Sequence, residues 1–285
     1  MNHPASENKY TPKQALSPTP ELYGEIVGDG MEQLAAASMS CIDPLSEGAV
    51  LHDVGCGLGA ATAAAVENAG SNKISIKGTD INDDCLNLYR QAIAKNDWPA
   101  EALHIDAAAM DFPDDTFSHS VGNALLFVLP NDGIDAMKEM YRTLKPGGLA
   151  VVNTWAYLPT MPAIHGAALK TRPEGTQLPR QGLEKWEDAD FLKEIVLKGG
   201  FSPDKVTLAK RDVYVTVGEL RHFSEMLWSF IGGTSSVGWL QSDEENWEKA
   251  VEIVMEELQK TDGYQRVDDL HSKIKFEANI IVAVK

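Results

Sequence analysis

Apolar and polar positions in this chain follow two alternating periods. From Glu21 to Cys41, Leu22, Ile26, Leu34 and Met39 recur at roughly helical spacing around Gly24, Gly28 and Gly30, which predicts one helix with a glycine-rich break. Short apolar runs then alternate with helical patterns. The predicted order is strand Ala49 to Val54, helix Ala60 to Asn68, strand Ile74 to Asp80 and helix Asp83 to Asn96. Strands near Ala102 to Asp106 and Phe117 to Asn123 follow, then a helix from Gly133 to Leu144. Lys145-Pro146-Gly147-Gly148 breaks the chain before an apolar strand at Leu149 to Thr154. Such alternation predicts βαβ units and a doubly wound, mostly parallel sheet of the α/β class.

Beyond Trp155 the pattern changes. Pro159, Pro162, Pro173 and Pro179 punctuate a stretch rich in Ala, Met and Leu, followed by a helix at Lys185 to Lys198 that stops at Gly199-Gly200. A strand of β-branched residues at Val206 to Val217 and a final strand at Phe276 to Val284 are expected to form an antiparallel edge, completing a seven-stranded sheet. Between them lies Glu219 to Thr261. Its first half holds Phe223, Met226, Leu227, Trp228, Phe230, Ile231 and Trp239, and reads either as a substrate lid or as plain core. Its second half, Glu244 to Lys260, reads as an amphipathic helix. The expected organisation is a flexible tail over 1–19 and a single domain over 20–285, with helical lid segments at about 156–184 and 218–245.

Composition narrows the class. The 285 residues are 44% hydrophobic and 24% charged, ordinary values for a globular protein. No apolar run approaches the roughly 20 residues of a membrane span, and Met1 to Pro20 lacks a secretory apolar stretch, so no membrane partner is expected. Cys41, Cys56 and Cys85 are odd in number and lack metal-type spacing; no disulfide framework and no metal site are expected, and a cytoplasmic location fits. A formal charge of -17 repels phosphate backbones, which argues against a nucleic-acid partner. The oligomeric state is not readable.

The strongest chemical feature is Asp53-Val54-Gly55-Cys56-Gly57-Leu58-Gly59, set between a predicted strand and helix. Glycines there allow a tight turn and close approach of a nucleotide-like ligand to the main chain. A dinucleotide fingerprint places its third glycine three positions after the second, whereas Gly55, Gly57 and Gly59 are spaced by two. An acid at the loop entrance opposes a pyrophosphate and suits a cationic α-amino group. That pattern favours S-adenosylmethionine (SAM) over a nicotinamide dinucleotide. Asp80, about twenty residues on at the end of the second strand, suits two vicinal ribose hydroxyls, and a helix N-cap is its structural alternative. Asp106-Ala107 follows the third strand. Asp111-Phe112-Pro113-Asp114-Asp115-Thr116-Phe117 and Leu144-Lys145-Pro146-Gly147-Gly148 come after it.

In these five segments and their order the chain resembles the class I SAM-dependent methyltransferases, from about Val50 to Trp155 and more weakly beyond. The resemblance implies a Rossmann-like fold and SAM as cofactor. It places Asp53 and the glycines beside the methionine part and Asp80 with Ile81 at the ribose, with Asp106 and the Ala107 backbone at the adenine. Where family members carry Asp after the first Phe of the fourth strand, this chain has Phe117-Ser118-His119. Asn123 then becomes the polar group expected to face cofactor or acceptor, with a buried capping amide as the alternative. Asn153-Thr154-Trp155 and Pro162-Ala163-Ile164-His165-Gly166-Ala167-Ala168 are similar to fungal methyltransferases of secondary metabolism, the gliotoxin thiol methyltransferase among them.

Methyl transfer is an in-line displacement, so alignment and water exclusion supply much of the rate. A base is optional; His165 and His222 are its candidates, each weighed against a surface or core role. Trp155, Tyr157, Met161, Phe223 and Trp228 are candidate walls for a small apolar or aromatic acceptor. Whether oxygen, nitrogen or sulfur is methylated stays open. So do two other readings: a SAM-binding protein that catalyses another reaction such as a cyclisation, and a non-catalytic SAM-binding regulator.

Overall fold

The computed structural model describes residues 10–17, 19–182 and 184–285. The chain opens with helices α1 (Pro20–Val27) and α2 (Gly30–Met39), then alternates β1 (Val50–Val54), α3 (Ala60–Ala69), β2 (Ser75–Asp80), α4 (Asp83–Asn96), β3 (Ala100–His104) and β4 (Phe117–Gly122). Next come α5 (Ile134–Thr143), β5 (Leu144–Tyr157), α6 (Thr160–Thr171), α7 (Ala189–Lys198), β6 (Val206–Val217) and α8 (Leu220–Ile231). The last elements are α9 (Gln241–Glu245), α10 (Trp247–Lys260), β7 (Gln265–Arg266) and β8 (Ser272–Val284).

The strands run in the order β3-β2-β1-β4-β5-β8-β6, with β7 off this path against β8. β3, β2, β1, β4 and β5 are parallel neighbours. The Lys285 N–H donates to the Gly148 carbonyl at 3.0 Å and the Gly147 N–H to the Lys285 carbonyl at 3.1 Å, so the residue after β8 faces two residues of β5, as in a bulged antiparallel pairing. The expected α/β Rossmann-like sheet with an antiparallel edge is present, and the short β7 makes it eight-stranded rather than seven-stranded.

The chain separates into two compact units. One comprises 1–30, 157–185 and 212–276, the other 31–156, 186–211 and 277–285. The second holds the parallel sheet. Val54, Phe117, Leu126, Met137, Met140, Val152, Ile195 and Ile281 belong to its core. The first is largely helical; in it α6 packs on α10, and α8 on both α10 and α1. Both segments read as lids, apart from residue 156, fall in this first unit. Residues 1–9 of the expected tail lie outside the described residues. Beyond them the chain is held: the Lys13 N–H donates to Glu244 Oε2 at 2.8 Å and the Leu16 N–H to Ser229 Oγ at 3.1 Å.

Several boundaries differ from the sequence pattern for identifiable reasons. The single helix over Glu21 to Cys41 is two helices; at the break Asp29 Oδ1 accepts the Thr216 N–H at 2.7 Å. The third strand ends at His104, because Asp106 Oδ1 turns back to accept the Ala108 N–H at 2.8 Å. Lys145 to Gly148 is no break between elements but an irregular start to β5, where the register shifts between Phe117 and His119. The helix expected from Lys185 begins at Ala189, where the Asp188 side chain caps it, and the one expected from Glu244 is split into α9 and α10 at Asn246. Ser118 sits inside the ladder: its Oγ accepts the Val50 N–H and donates to the Val50 carbonyl, both at 3.0 Å.

Candidate functional site

The glycine loop leaves β1, and all three glycines have positive φ: +66° at Gly55, +50° at Gly57 and +95° at Gly59. Their tasks differ. A Cβ at Gly55 would meet Leu125 Cδ1 at 2.5 Å, and one at Gly59 would meet Trp98 Cζ3 at 2.7 Å and Tyr89 Cε2 at 2.8 Å. Those two positions let the loop lie against side chains behind it. Gly57 has nothing within 4 Å of its Cβ direction, so its main chain borders open space that a ligand can enter.

Two carboxylates hold this loop. Asp80, at the end of β2, accepts the Gly57 N–H through Oδ2 at 3.1 Å and the Asn82 N–H through Oδ1 at 2.9 Å. Asn82, and not Asp80, caps α4, accepting from the N–H groups of Asp84 and Cys85. A carboxylate offers about four acceptor positions, so Asp80 keeps capacity for two hydroxyl donors. Asp53 is buried; its Oδ2 accepts the Thr62 N–H at 3.0 Å and the Thr62 hydroxyl at 2.7 Å, tying β1 to the first turn of α3. Burial pushes the Asp53 carboxyl up to about 6 against the lowering effect of the Thr62 bonds, with a further push from Asp80.

The remaining cofactor candidates cluster at the same strand ends. The Ile105 N–H donates to the Asp80 carbonyl at 3.2 Å, which brings the exposed Asp106 and the buried Ala107 next to β2. Ile81 is 61% exposed and Leu58 59%, two large apolar side chains left open on the glycine loop and the turn after Asp80. Asn123 lies past β4; its Oδ1 accepts from Asn153 Nδ2 at 2.8 Å and its Nδ2 donates to the Met31 carbonyl at 3.1 Å. Asn153 Oδ1 accepts the Ala124 N–H at 2.8 Å, and Ala124 is held at φ 52°.

Asn153, Thr62 and Tyr89 are support residues that sequence reasoning missed. Tyr89 is fully buried, bonds Thr62 Oγ1 through its hydroxyl at 2.6 Å and fills the space beside Gly59 and Gly78. Nothing in its local pattern marks it apart from a helical apolar position. Beside it in sequence, Cys85 and the loop's Cys56 both have thiols pushed up by burial and by neighbouring carboxylates, so neither is an activated nucleophile.

The other candidates are placed as follows. Trp155 is buried at the end of β5, in the sheet unit. Tyr157, Met161, His165, His222, Phe223 and Trp228 belong to the helical unit. Met161 and the half-buried His165 lie on α6, and His165 Nε2 is 2.9 Å from the Pro179 carbonyl. His222 Nε2 is 3.2 Å from Glu25 Oε2 on α1. Phe223 and Trp228 are core side chains of α8. No group of three His, Cys, Asp or Glu side chains among the described residues could hold a metal, and no helix among them is long and apolar enough to cross a membrane.

The loop is thus bordered by open space at one of its three glycines and flanked by carboxylates near the ends of β1 and β2, an arrangement with room and acceptors for a nucleoside. Residues 51–148, which contain this loop and both carboxylates, match the family described as Methyltransferase domain. Over those residues the chain is similar to methyltransferase domains, and that likeness supports S-adenosylmethionine as the cofactor. The chain is 36% identical over 109 residues to the demethylmenaquinone methyltransferase of Bacillus subtilis, a match covering 38% of this chain and only 46% of that protein. It is 25% identical over 244 residues to methyltransferase ktnA of Aspergillus niger, covering 75% of this chain and 79% of that one. In fold it is similar to phosphoethanolamine N-methyltransferase 2 of Haemonchus contortus, solved with S-adenosyl-L-methionine. The TM-score is 0.54 at 18% identity, over 93% of this chain and 56% of that one.

Proposed function

We propose that this protein transfers the methyl group of SAM to a small apolar or aromatic metabolite. The observation that carries the reading is the Asp80–Gly57 contact beside open space. One carboxylate fixes the loop and keeps acceptor capacity for a ribose, at the one of the loop's three glycines whose Cβ direction is empty. Bound there, SAM supplies an electrophilic methyl group on a sulfonium.

The chain's own residues bind and orient. Gly55, Gly57 and Gly59 with Asp53 would receive the amino-acid part, Asp80 the ribose hydroxyls, and Asp106 with the Ala107 N–H the adenine edge, while Ile81 and Leu58 offer apolar cover. Asp53 carries its charge at neutral pH, above its value of about 6, and so suits a cationic amino group. Asn123 is held at both ends by Asn153 and Met31, which favours positioning over proton transfer. No dedicated base is required; His165 and His222 are engaged with Pro179 and Glu25, and alignment supplies the rate.

A small-molecule acceptor is supported by the acidic composition and by the 109-residue similarity to a demethylmenaquinone methyltransferase, whose name gives a small molecule as its substrate. A screen of metabolite extracts with methyl-labelled SAM, read by mass spectrometry, tests the proposal. Labelled low-molecular-weight products are expected. Label confined to macromolecules, or product formed without transfer of label, would overturn it, the latter in favour of a cyclase-like activity.

A further inference from the structure

Behind the glycine loop, three buried side chains from separate elements form a line of hydrogen bonds. Thr62, in the first turn of α3, donates to Asp53 Oδ2 twice, through its N–H at 3.0 Å and its hydroxyl at 2.7 Å. Gly59 gives α3 no side-chain cap, so Asp53 takes that role from β1. Tyr89 Oη of α4 lies 2.6 Å from Thr62 Oγ1. An ionised carboxylate only accepts, and the single Thr62 hydroxyl hydrogen goes to it, so the Tyr89 hydroxyl is the donor to Thr62. The line therefore points its hydrogens toward Asp53. Relative exposure is 1% at Asp53 and 0% at Thr62 and Tyr89, so water does not dilute these bonds.

The phenol is fitted into this place. A Cβ at Gly78 would lie 2.6 Å from Tyr89 Oη and one at Gly59 2.8 Å from its Cε2, so two glycines make room for the ring. An apolar ring would fill that slot equally well; the hydroxyl adds the bond to Thr62. The ionisable groups around Asp53 offer it no counter-charge. Asp80 on β2 repels it, and burial with neighbouring charge pushes the Cys56 thiol and the Tyr89 phenol upward, which keeps both neutral. His52, next on β1, is neutral above about 3. A buried carboxylate without a cation depends on donated hydrogen bonds to stay charged, and bonds in a line strengthen one another. Thr62 and Tyr89 supply that line.

We propose that Thr62 and Tyr89 are positioning residues for the cofactor: their hydroxyls form a relay that keeps Asp53 ionised beside the glycine loop, as counter-charge to the ligand's ammonium group. The relay acts through Asp53 and does not touch the ligand. It deepens the methyl-transfer reading by giving two buried side chains control over cofactor affinity, and rests on that reading for the ligand's identity.

The test reads the ionisation of Asp53 in the free full chain by NMR of carboxyl-labelled aspartate, with the Asp53 signal assigned by its loss in Asp53→Asn. Wild type is expected to titrate at about 6. Thr62→Val keeps the β-branched shape and the N–H bond but removes the hydroxyl, and should raise the midpoint by about one to two pH units. Tyr89→Phe should raise it by about half a unit. Thr62→Ser, which keeps a hydroxyl, should titrate as wild type does. The second readout is affinity for S-adenosylhomocysteine, which carries the same ammonium group, by calorimetry. The ratio of wild-type to Thr62→Val affinity cancels the ligand's own titration, and should be about two- to tenfold at pH 7 and about one at pH 9. A merely structural loss would leave that ratio constant with pH. An Asp53 midpoint unchanged in either Thr62→Val or Tyr89→Phe, or a pH-independent affinity ratio, would overturn the proposal. If wild type binds no S-adenosylhomocysteine at any pH, the cofactor reading falls, while the titration of the free chain still decides whether the relay sets the charge.

Discussion

The Asp80 carboxylate accepts the backbone N–H of Gly57 at 3.1 Å, joining the end of the second strand to the middle of the glycine loop. An N-cap at Asp80 is the alternative that sequence leaves open, and the structure gives that task to Asn82. Asp80 is thereby left to shape the loop and to face a ligand. Asp80→Asn keeps a side-chain oxygen for one of the two N–H groups and removes the charge. SAM affinity should fall by about 10- to 100-fold, the loss of one or two charge-assisted hydrogen bonds, in isothermal titration. Unchanged affinity would remove Asp80 from the cofactor site.

Gly57 and Gly59 should fail in different ways. Gly59→Ala forces a Cβ against Trp98 and Tyr89 and should destabilise the fold by about 2 kcal/mol, seen as a lower urea midpoint. Gly57→Ala meets only open space in the free protein and should cost about 1 kcal/mol for its positive φ. Its larger effect should be on SAM binding, because the added methyl occupies the ligand's side of the loop. Equal loss of stability and affinity in the two variants would contradict this division.

His52 and Asp53, adjacent on β1, should respond to pH with opposite signs. Burial lowers the His52 imidazole to about 3, so between pH 6.5 and 3 the unfolded chain binds the extra proton and stability falls with falling pH. Asp53, raised to about 6, is protonated more readily in the folded chain, so between pH 4 and 6 its contribution falls as pH rises. The stability gap between wild type and His52→Met should shift by about 2 kcal/mol from pH 7 to pH 5, in the direction that favours the variant at pH 5. Asp53→Asn should gain stability relative to wild type over pH 4 to 7 and lose SAM affinity. Urea unfolding at three pH values reads both.

Asn153 holds Ala124 in a left-handed conformation and Asn123 in its orientation, while also donating to Ser38 Oγ at 2.8 Å. Asn153→Leu should destabilise by about 2–4 kcal/mol, because it strands the Ala124 N–H and Asn123 Oδ1. Asn123→Ala removes less of the network and should have the smaller effect on urea stability.

Much of the sheet was legible in the sequence because apolar period and turn chemistry coincide there: β6 and α4 have the predicted limits, Asp80 ends β2, Asp53 stands one residue before the end of β1, and only Asp106, two residues past β3, falls outside its predicted strand. What could not be read depends on long-range partners. Asn153 looks like one polar residue in an apolar strand until Ala124 and Asn123 are folded against it. Trp228 and Phe223 look the same in sequence whether they line a pocket or fill a core, and only burial places them in the packed interior of α8. Arg172 gives no local sign of Asp243, 71 residues away.

Methyl transfer from SAM at the Asp80–Gly57 loop to a small acceptor fixes the stoichiometry of its products. The most direct measurement is the ratio of S-adenosylhomocysteine to methylated product over a time course with an acceptor found by the labelled screen, for wild type and Asp80→Asn. One S-adenosylhomocysteine is expected for each product molecule one methylene heavier, with both formed more slowly by Asp80→Asn at limiting SAM. Product of unchanged composition accumulating without S-adenosylhomocysteine would contradict it.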